Sequence, residues 1–173
     1  LRRLDLSGTA VTDAGIEHVA ALKTLQELDL SKTKVTGAGL AHVASLKALT
    51  TLVLAGTSID NAGLAGLAEL KALQELDLSD TKVSGAGLKH LKGLSALETL
   101  DLTRTAVTDP DIAQLAELKG LKRLMLSNID LTDVGFKAVG TLGSLTHLDL
   151  SHTKPTDAGL KHLSGLKALQ DLS

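Results

Sequence analysis

The chain has 173 residues, with 18 Lys and Arg, 20 Asp and Glu, and no cysteine. A net charge of −2 lacks the basic excess of proteins that bind nucleic acid or anionic membranes, so we expect neither partner. Without cysteine the chain has no disulfide bonds or thiolate metal sites, and either redox compartment is compatible with it.

One 24-residue pattern runs through the chain without insertion or deletion. In the first copy it reads L-x-x-L-x-L-x-x-T-x-V-T-D-A-G-I-x-x-V-A-x-L-K-x. Seven copies begin at residues 1, 25, 49, 73, 97, 121 and 145, and a partial eighth begins at residue 169. A fixed period of this length indicates a solenoid, in which each unit packs on the next. We therefore expect residues 1–173 to form a single elongated domain, and we expect it to be a fragment of a longer protein.

The first part of each copy predicts a short strand. In the second copy, Leu28 and Leu30 alternate with Asp29, which places the leucines on one face and the carboxylate on the other. Because strand and helix alternate along one sheet, we expect parallel strands joined by right-handed crossovers.

The second part of each copy predicts a short helix. Leu40, Val43 and Leu46 recur at nearly helical spacing, and Thr36 is suited to cap the first turn. Acidic residues in the corresponding first turns, where the helix dipole favours them, are Asp13, Asp109, Asp133 and Asp157.

The fifth copy has the clearest helix start. Thr108 is a suitable cap, Pro110 needs no amide hydrogen bond in the first turn, and Asp111 can reach back to the cap. Because helices are wider than the ~4.8 Å spacing between strands, the stack should curve with the strands inside. The predicted fold class is α/β, a right-handed β-α solenoid with parallel strands on the concave face and short helices on the convex face.

The pattern L-x-x-L-x-L-x-x-T, present in every copy but the sixth, resembles the leucine-rich repeat. The ending T-D-A-G-L at residues 156–160 is similar to the cysteine-containing subtype of the ribonuclease-inhibitor relatives, and the 24-residue length is similar to the bacterial GALA subtype. The resemblance implies a horseshoe that binds proteins through its concave strand face. It also leaves open the substrate-recruiting domain of a ubiquitin ligase or of a secreted bacterial effector.

The sixth copy departs from this pattern at Ile129, where other copies have threonine. Isoleucine offers no side-chain hydrogen bond to the loop, so we expect a locally altered loop there. Phe136 of the same copy is large, and we expect the small Gly140 and Gly143 to make room for it.

The candidate partner-binding residues are those that point away from the leucines on the strands and just beyond them. One column contains Asp5, Asp29, Val53, Asp77, Asp101, Met125 and Asp149. The other candidates are Arg3, Glu27, Glu75, Arg104, Arg123, His147 and His152. Like charges on adjacent strands repel, so the acidic column is consistent with a basic partner. The alternative is that serine hydroxyls and basic side chains, Arg104 among them, solvate or neutralise the column.

Met125 is the centre of a second candidate patch, an adaptable apolar side chain beside Arg123, His147 and His152. Random drift on an exposed strand is the alternative explanation for this patch.

No pattern in the chain predicts catalysis, a cofactor or a metal site. Four histidines occupy the same position of their copies, but no carboxylate recurs beside them at ligand spacing; they are His18, His42, His90 and His162. One glycine position of the helix start recurs once in every copy but the fifth, which favours close helix packing over a phosphate-binding loop; its members are Gly15, Gly39, Gly63, Gly87, Gly135 and Gly159. We therefore expect a non-catalytic protein-binding module. The alternative is a structural or self-assembling scaffold, with end-to-end self-association or contacts along the lysines of the helix side.

Overall fold

The computed structural model describes residues 1–173, and it contains one short strand in each repeat. The strands are β1 (Arg3–Asp5), β2 (Glu27–Asp29), β3 (Thr51–Val53), β4 (Glu75–Asp77), β5 (Thr99–Asp101), β6 (Arg123–Met125), β7 (His147–Asp149) and β8 (Asp171–Leu172). They form one eight-stranded sheet in chain order, and every neighbouring pair is parallel. The predicted parallel sheet is confirmed.

The register of the sheet repeats the period of the sequence. Leu4 pairs with Leu28 and Leu28 pairs with Leu52, so each residue lies beside its equivalent 24 positions later. The strand leucines therefore point into one interior along the whole stack, and the residues on either side of them form columns on the opposite face.

A short helix follows each of the first seven strands. The α-helices are α1 (Asp13–Val19), α2 (Gly37–Val43), α3 (Gly85–Leu88), α4 (Asp109–Ile112), α5 (Asp133–Val139) and α6 (Asp157–His162). The 3-10 segments are Gly63–Glu69, Lys89–Leu91, Ala113–Glu117 and Leu163–Gly165. None of these helices has both the length and the apolar character needed to cross a membrane. Such short helices are unstable alone in water, so packing must stabilise them.

A single apolar core supplies that packing. It contains 42 buried hydrophobic side chains and extends from Ile16 to Leu166. The leucines of the strands and the apolar residues of the helices contribute to it from the second repeat onward, and in the first repeat Leu4 and Leu6 are only partly buried against it. The architecture is the predicted right-handed β-α solenoid, with the strands on the concave face.

The helix starts are capped at the predicted residues. The Thr36 side chain accepts a hydrogen bond from Ala38 N–H at 3.3 Å. In the fifth repeat, Asp111 Oδ2 accepts from Thr108 N–H at 2.9 Å and from the Thr108 hydroxyl at 2.7 Å.

The first-turn acids have a second role that the sequence interpretation missed, because they bind the next repeat. Asp13 Oδ1 accepts from Thr36 N–H at 2.7 Å, and Asp13 Oδ2 accepts from the Thr36 hydroxyl at 2.6 Å. Burial alone would raise the pKa of Asp13, but these hydrogen bonds outweigh burial and lower its pKa. The same two bonds join Asp109 to Thr132, and between Asp133 and Thr156 only the hydroxyl bond is present.

The glycines of the helix starts make room for these carboxylates. A Cβ atom on Gly39 would lie 2.5 Å from Asp13 Oδ1, and one on Gly135 would lie 2.3 Å from Asp109 Oδ1. Neither glycine has a positive φ, a conformation found among glycines only at Gly8 and Gly56. Close packing therefore explains the glycines of the helix starts, as predicted.

The loop at Ile129 keeps the turn of the other repeats but differs in the hydrogen bonds that follow it. Ile129 N–H bonds to Leu126 O at 3.3 Å, much as Thr105 N–H bonds to Leu102 O at 3.1 Å. A left-handed residue precedes both, with φ values of 57° and 53°. The hydroxyl bond that Thr105 makes to Leu102 O is absent at Ile129, which is buried with 2% of its surface exposed. Just beyond the turn, Leu131 N–H bonds to Ile129 O at 3.1 Å, and no other repeat makes this bond between its equivalent residues. The predicted local change of the loop is therefore confirmed, although backbone groups still define the turn itself.

The space for Phe136 comes from the following repeat. Phe136 is fully buried, and a Cβ atom on Gly159 would lie 3.2 Å from its ring. A Cβ atom on Gly143 would meet nothing within 4 Å, and one on Gly140 would meet the backbone of His162. The predicted compensation by Gly140 and Gly143 is therefore wrong.

Candidate functional site

The candidate residues of the strands lie in two parallel columns on the concave face. The aspartate column contains Asp5, Asp29, Val53, Asp77, Asp101, Met125 and Asp149. The mixed column contains Arg3, Glu27, Thr51, Glu75, Thr99, Arg123 and His147. Each inner strand is hydrogen-bonded to a neighbouring strand on both sides, so the side chains of both columns project from a rigid backbone.

Every aspartate of the column binds its own turn. In each case Oδ1 accepts a hydrogen bond from the backbone N–H two residues later, at 2.8 or 2.9 Å. At Asp5, hydrogen bonds from Ser7 lower the pKa of the carboxyl group. The Ser7 side chain contributes to this effect, as the serine interpretation predicts, while backbone amides are the donors that all five aspartates share. One oxygen of each aspartate therefore has a structural role.

Several acidic side chains near the columns have a cationic partner. Arg3 lies 3.4 Å from Glu27, across strands β1 and β2. Arg104 lies 3.2 Å from Asp80, so this candidate residue pairs within the loops that follow the strands. The expectation that Arg104 neutralises the aspartate column is wrong. These pairs are exposed, and each contributes about 1 kcal/mol or less to stability.

Three carboxylates in the middle of the face have no such partner. No Arg, Lys or His nitrogen lies within 4.0 Å of Glu75, Asp77 or Asp101. Burial raises the pKa of Asp101, and the negative charges of Asp77 and Asp149 raise it further. The centre of the concave face is therefore negatively charged.

These carboxylates line a shallow depression across strands β3 to β6, which we call the floor depression. It has a volume of about 210 Å³, and Val53 and Met125 are the apolar residues at its two ends. Thr51 and Thr99 lie in it where the other full repeats have Arg, Glu or His. The sequence pattern placed both threonines in the second column of the strand face, beside the aspartate column, but they were not among the residues chosen as partner-binding.

The structure places three members of the proposed Met125 patch on adjacent strands and separates only His152 from them. Met125 is half-buried between Asp101 and Asp149, and Arg123 is exposed on the same strand. His147 lies beside Arg123 on β7, where its Nε2 is 2.9 Å from Asp171. His152 instead lies in the following loop, where it lines a different depression.

The helix-side histidines are exposed or half-buried at the surface, as expected for a solvated helix face. No group of three or more His, Asp and Glu side chains is arranged to hold a metal ion.

The fold and its surface define a leucine-rich-repeat solenoid. A family model described as "Leucine Rich repeat" matches residues 1–20, 21–44, 71–92 and 144–164. These segments make up half of the chain, and the chain belongs to the leucine-rich-repeat family.

Solved structures with the same fold include two internalins from Listeria monocytogenes. Internalin InlF superimposes with a TM-score of 0.76 at 23% identity, covering 100% of this chain and 54% of its own length. Internalin C2 superimposes with a TM-score of 0.76 at 26% identity, covering 99% of this chain and 73% of its own length. The chain thus spans about half the length of InlF. A comparison with curated proteins gives no match.

Proposed function

We propose that the chain is a non-catalytic module that binds a partner protein through its concave strand face. The observation that supports this best is the difference between the two sides of the strands. The inward leucines recur in every full repeat, whereas the outward residues include acids, bases, Thr, Val and Met. The core does not require this variety. A constant interior with a variable open surface suits recognition.

The form of the face also favours binding. Main-chain hydrogen bonds between strands hold the outward side chains in columns before any partner arrives, which reduces the entropy lost on binding. Met125 and Val53 offer apolar surface, and the charged residues around them favour a partner of complementary charge.

The chemistry of the face supports binding without catalysis. The floor depression contains carboxylates, threonine hydroxyls and one thioether, with no histidine or lysine base beside a nucleophile. A recruiting domain of a ubiquitin ligase or a secreted effector would use this face in the same way.

The test is a binding selection followed by a matched pair of variants. Small protein domains and random peptides displayed on phage are selected on the intact chain, and the affinities of the enriched binders are measured. The two variants, Met125→Asp and Val134→Asp, each replace an apolar residue by a carboxylate. Met125 lies on the strand face, whereas Val134 is 64% exposed in the first turn of α5.

We expect Met125→Asp to weaken binding by about tenfold or more, because it removes apolar contact and adds charge at the centre of the face. Val134→Asp should leave affinity unchanged. Binders that respond to Val134→Asp alone would contradict strand-face binding. Ordered oligomers in analytical ultracentrifugation that neither variant disturbs would favour the scaffold alternative.

A further inference from the structure

The floor depression has a composition that suits one kind of partner side chain. Its middle contains the carboxylates of Glu75, Asp77 and Asp101, and its ends are Val53 and Met125. Since parallel strands lie ~4.8 Å apart, the four column positions from Val53 to Met125 span roughly 14 Å. That length accommodates one long side chain together with smaller apolar residues beside it in an extended segment.

The carboxylates of the depression are not neutralised within the chain. Some nearby acids pair with a basic residue of the protein itself, as Glu98 does with Lys122 at 2.9 Å, whereas Asp29 and Asp149 of the aspartate column do not. Glu75, Asp77 and Asp101 have no such pair. Three negative charges thus surround one shallow, partly desolvated space, where a cation from outside would interact favourably with all of them.

Asp77 and Asp101 each keep one oxygen for a ligand. Their Oδ1 atoms accept from Ser79 N–H and Thr103 N–H, both at 2.8 Å. Their Oδ2 atoms accept no such backbone bond, although at Asp101 the Thr103 side chain also lies within hydrogen-bonding reach of the carboxylate. The backbone bond fixes the orientation of each carboxylate, so the second oxygen is presented without further ordering.

The electrostatic state of Asp101 agrees with this arrangement. Burial and the neighbouring charges of Asp77 and Asp149 raise its pKa, which shows that its negative charge is disfavoured in the free protein. A cation placed among these carboxylates would relieve that repulsion, whereas an anionic partner would increase it.

We propose that the floor depression receives an arginine side chain from an extended segment of the partner. This assignment rests on the strand-face binding proposed above and adds the chemistry of the bound segment. The guanidinium group has five donors in a planar fork, so it can bond to carboxylates of both columns at once. In an extended segment, the side chains two positions before and after the arginine lie on the same face as the arginine, and they would contact Val53 or Met125.

An inorganic cation is a poorer occupant. Glu75, Asp77 and Asp101 do not form a group arranged to hold a single metal ion. An arginine side chain needs no such convergence, because its donors are spread over a planar group on a flexible stem.

The test uses random peptides displayed on phage and selected on the intact chain. We expect arginine to be enriched at one position, with an apolar residue two positions away. The best peptide is then synthesised with arginine, lysine or citrulline at that position. Citrulline keeps nearly the same shape without the charge. Affinity should fall in the order arginine, lysine, citrulline, and the loss on citrulline substitution should be about tenfold or more.

The protein variants keep the structural hydrogen bond of each aspartate. Asp77→Asn and Asp101→Asn retain an oxygen that can accept the backbone N–H but lose the negative charge. Asp29→Asn is the matched control, because Asp29 makes the same bond to Ser31 N–H at 2.8 Å and lies outside the depression. The combined Asp77→Asn and Asp101→Asn variant should weaken the arginine peptide about tenfold and abolish its advantage over the citrulline peptide. The control should change affinity by less than about twofold.

The failure of this proposal can be told apart from the failure of the proposed function. Peptides that lose affinity with Met125→Asp but contain no enriched arginine, or that bind the Asp77→Asn and Asp101→Asn variant equally well, would overturn the arginine assignment alone. A lysine peptide of equal affinity would overturn it too. Peptides insensitive to Met125→Asp would overturn both.

Discussion

Asp109 and Thr132 join two successive repeats through both polar groups of the threonine. Thr132 N–H donates to Asp109 Oδ1 at 2.9 Å, and the Thr132 hydroxyl donates to Asp109 Oδ2. The carboxylate of one repeat therefore binds the residue that starts the next helix. Solenoid stability depends on interfaces between neighbouring repeats, so this link should contribute to the unfolding of the whole stack.

Asp109→Ala should lower the free energy of unfolding by about 1–2 kcal/mol, because it leaves the Thr132 groups without their acceptor. Urea denaturation followed by circular dichroism measures the change. Asp157→Ala is the control, since Asp157 occupies the same first-turn position of α6 and its carboxylate does not bind a following repeat. Its loss should cost less than about 1 kcal/mol through the helix dipole. Equal losses in the two variants would show that the link contributes nothing.

Gly85 lies at the repeat position where the next repeat has Asp109, and Asp111 lies at the position where the next repeat has Gly135. This reversal of aspartate and glycine permits a double-mutant test. A Cβ atom on Gly85 would lie 1.6 Å from Asp111 Oδ1, so Gly85→Asp should destabilise the protein by about 2–3 kcal/mol through overpacking. Asp111→Gly alone should cost about 1 kcal/mol, because it removes the partner of Thr108.

The double variant should be more stable than the sum of the single changes predicts, by about 1 kcal/mol or more. It restores the arrangement in which the preceding repeat supplies the carboxylate and the following repeat has glycine, as at Asp109 and Gly135. Strictly additive losses in urea denaturation would be inconsistent with this coupling.

Asp101→Asn should stabilise the protein at neutral pH. Because folding raises the pKa of Asp101 above 3.8, the folded state holds this proton more tightly, and the group's contribution to stability falls as pH rises through that range. The gain from Asp101→Asn should therefore be largest at pH 7 and disappear below about pH 4. Urea midpoints measured across pH test this.

Asp5→Asn should change stability at neutral pH in the opposite direction to Asp101→Asn. Folding lowers the pKa of Asp5, so its charged form stabilises the protein above pH 3.8, and this contribution is lost as pH falls through the folded pKa. Asp5→Asn should therefore destabilise the protein at pH 7 and be neutral in acid. If the urea midpoints of the two variants changed with pH in the same way, the opposite pKa shifts assigned to Asp101 and Asp5 would be refuted.

Thr57→Val should cost about 1 kcal/mol while leaving the turn intact. The buried Thr57 hydroxyl donates to Leu54 O at 2.6 Å, but Thr57 N–H also donates to that oxygen at 3.2 Å. Ile129 is a natural precedent for an apolar residue at this position. Amide exchange of Thr57→Val should retain the protection of the turn, and its loss would show that the hydroxyl is required.

The repeating framework could be predicted from the sequence because its causes are local and periodic. Alternation at Leu28 and Leu30 indicated the strand, and the helical spacing after Thr36 indicated the helix. The cap formed by Thr108 and Asp111 also depends on residues only three positions apart. Repetition of these signals every 24 residues was enough to define the solenoid.

The hydrogen bonds between aspartate and threonine of successive repeats were not predicted, because each of the two residues already has a role in the start of its own helix. Asp13 suits a first turn, and Thr36 suits a cap, so nothing local indicated that they bind each other across 23 residues. The signal was present in the correlated exchange at Gly85 and Asp111. A comparison of equivalent positions in successive repeats would have found it.

The sequence predicted which residues lie in the candidate site more completely than it predicted the ion pairs between their side chains. The register placed Val53, Asp77, Asp101 and Met125 side by side as expected. Which charges remain unpaired depends on side-chain reach, and the sequence interpretation could not assign Arg104 to Asp80.

The most direct test of strand-face binding uses the single methionine of the chain. Protein labelled with ¹³C at the methionine methyl group gives one NMR resonance, from Met125 in the floor depression. Titration with a selected binder should shift or broaden this resonance and saturate at the dissociation constant measured independently. A Met125 resonance that remains unchanged when the protein is fully bound would contradict binding through the concave face.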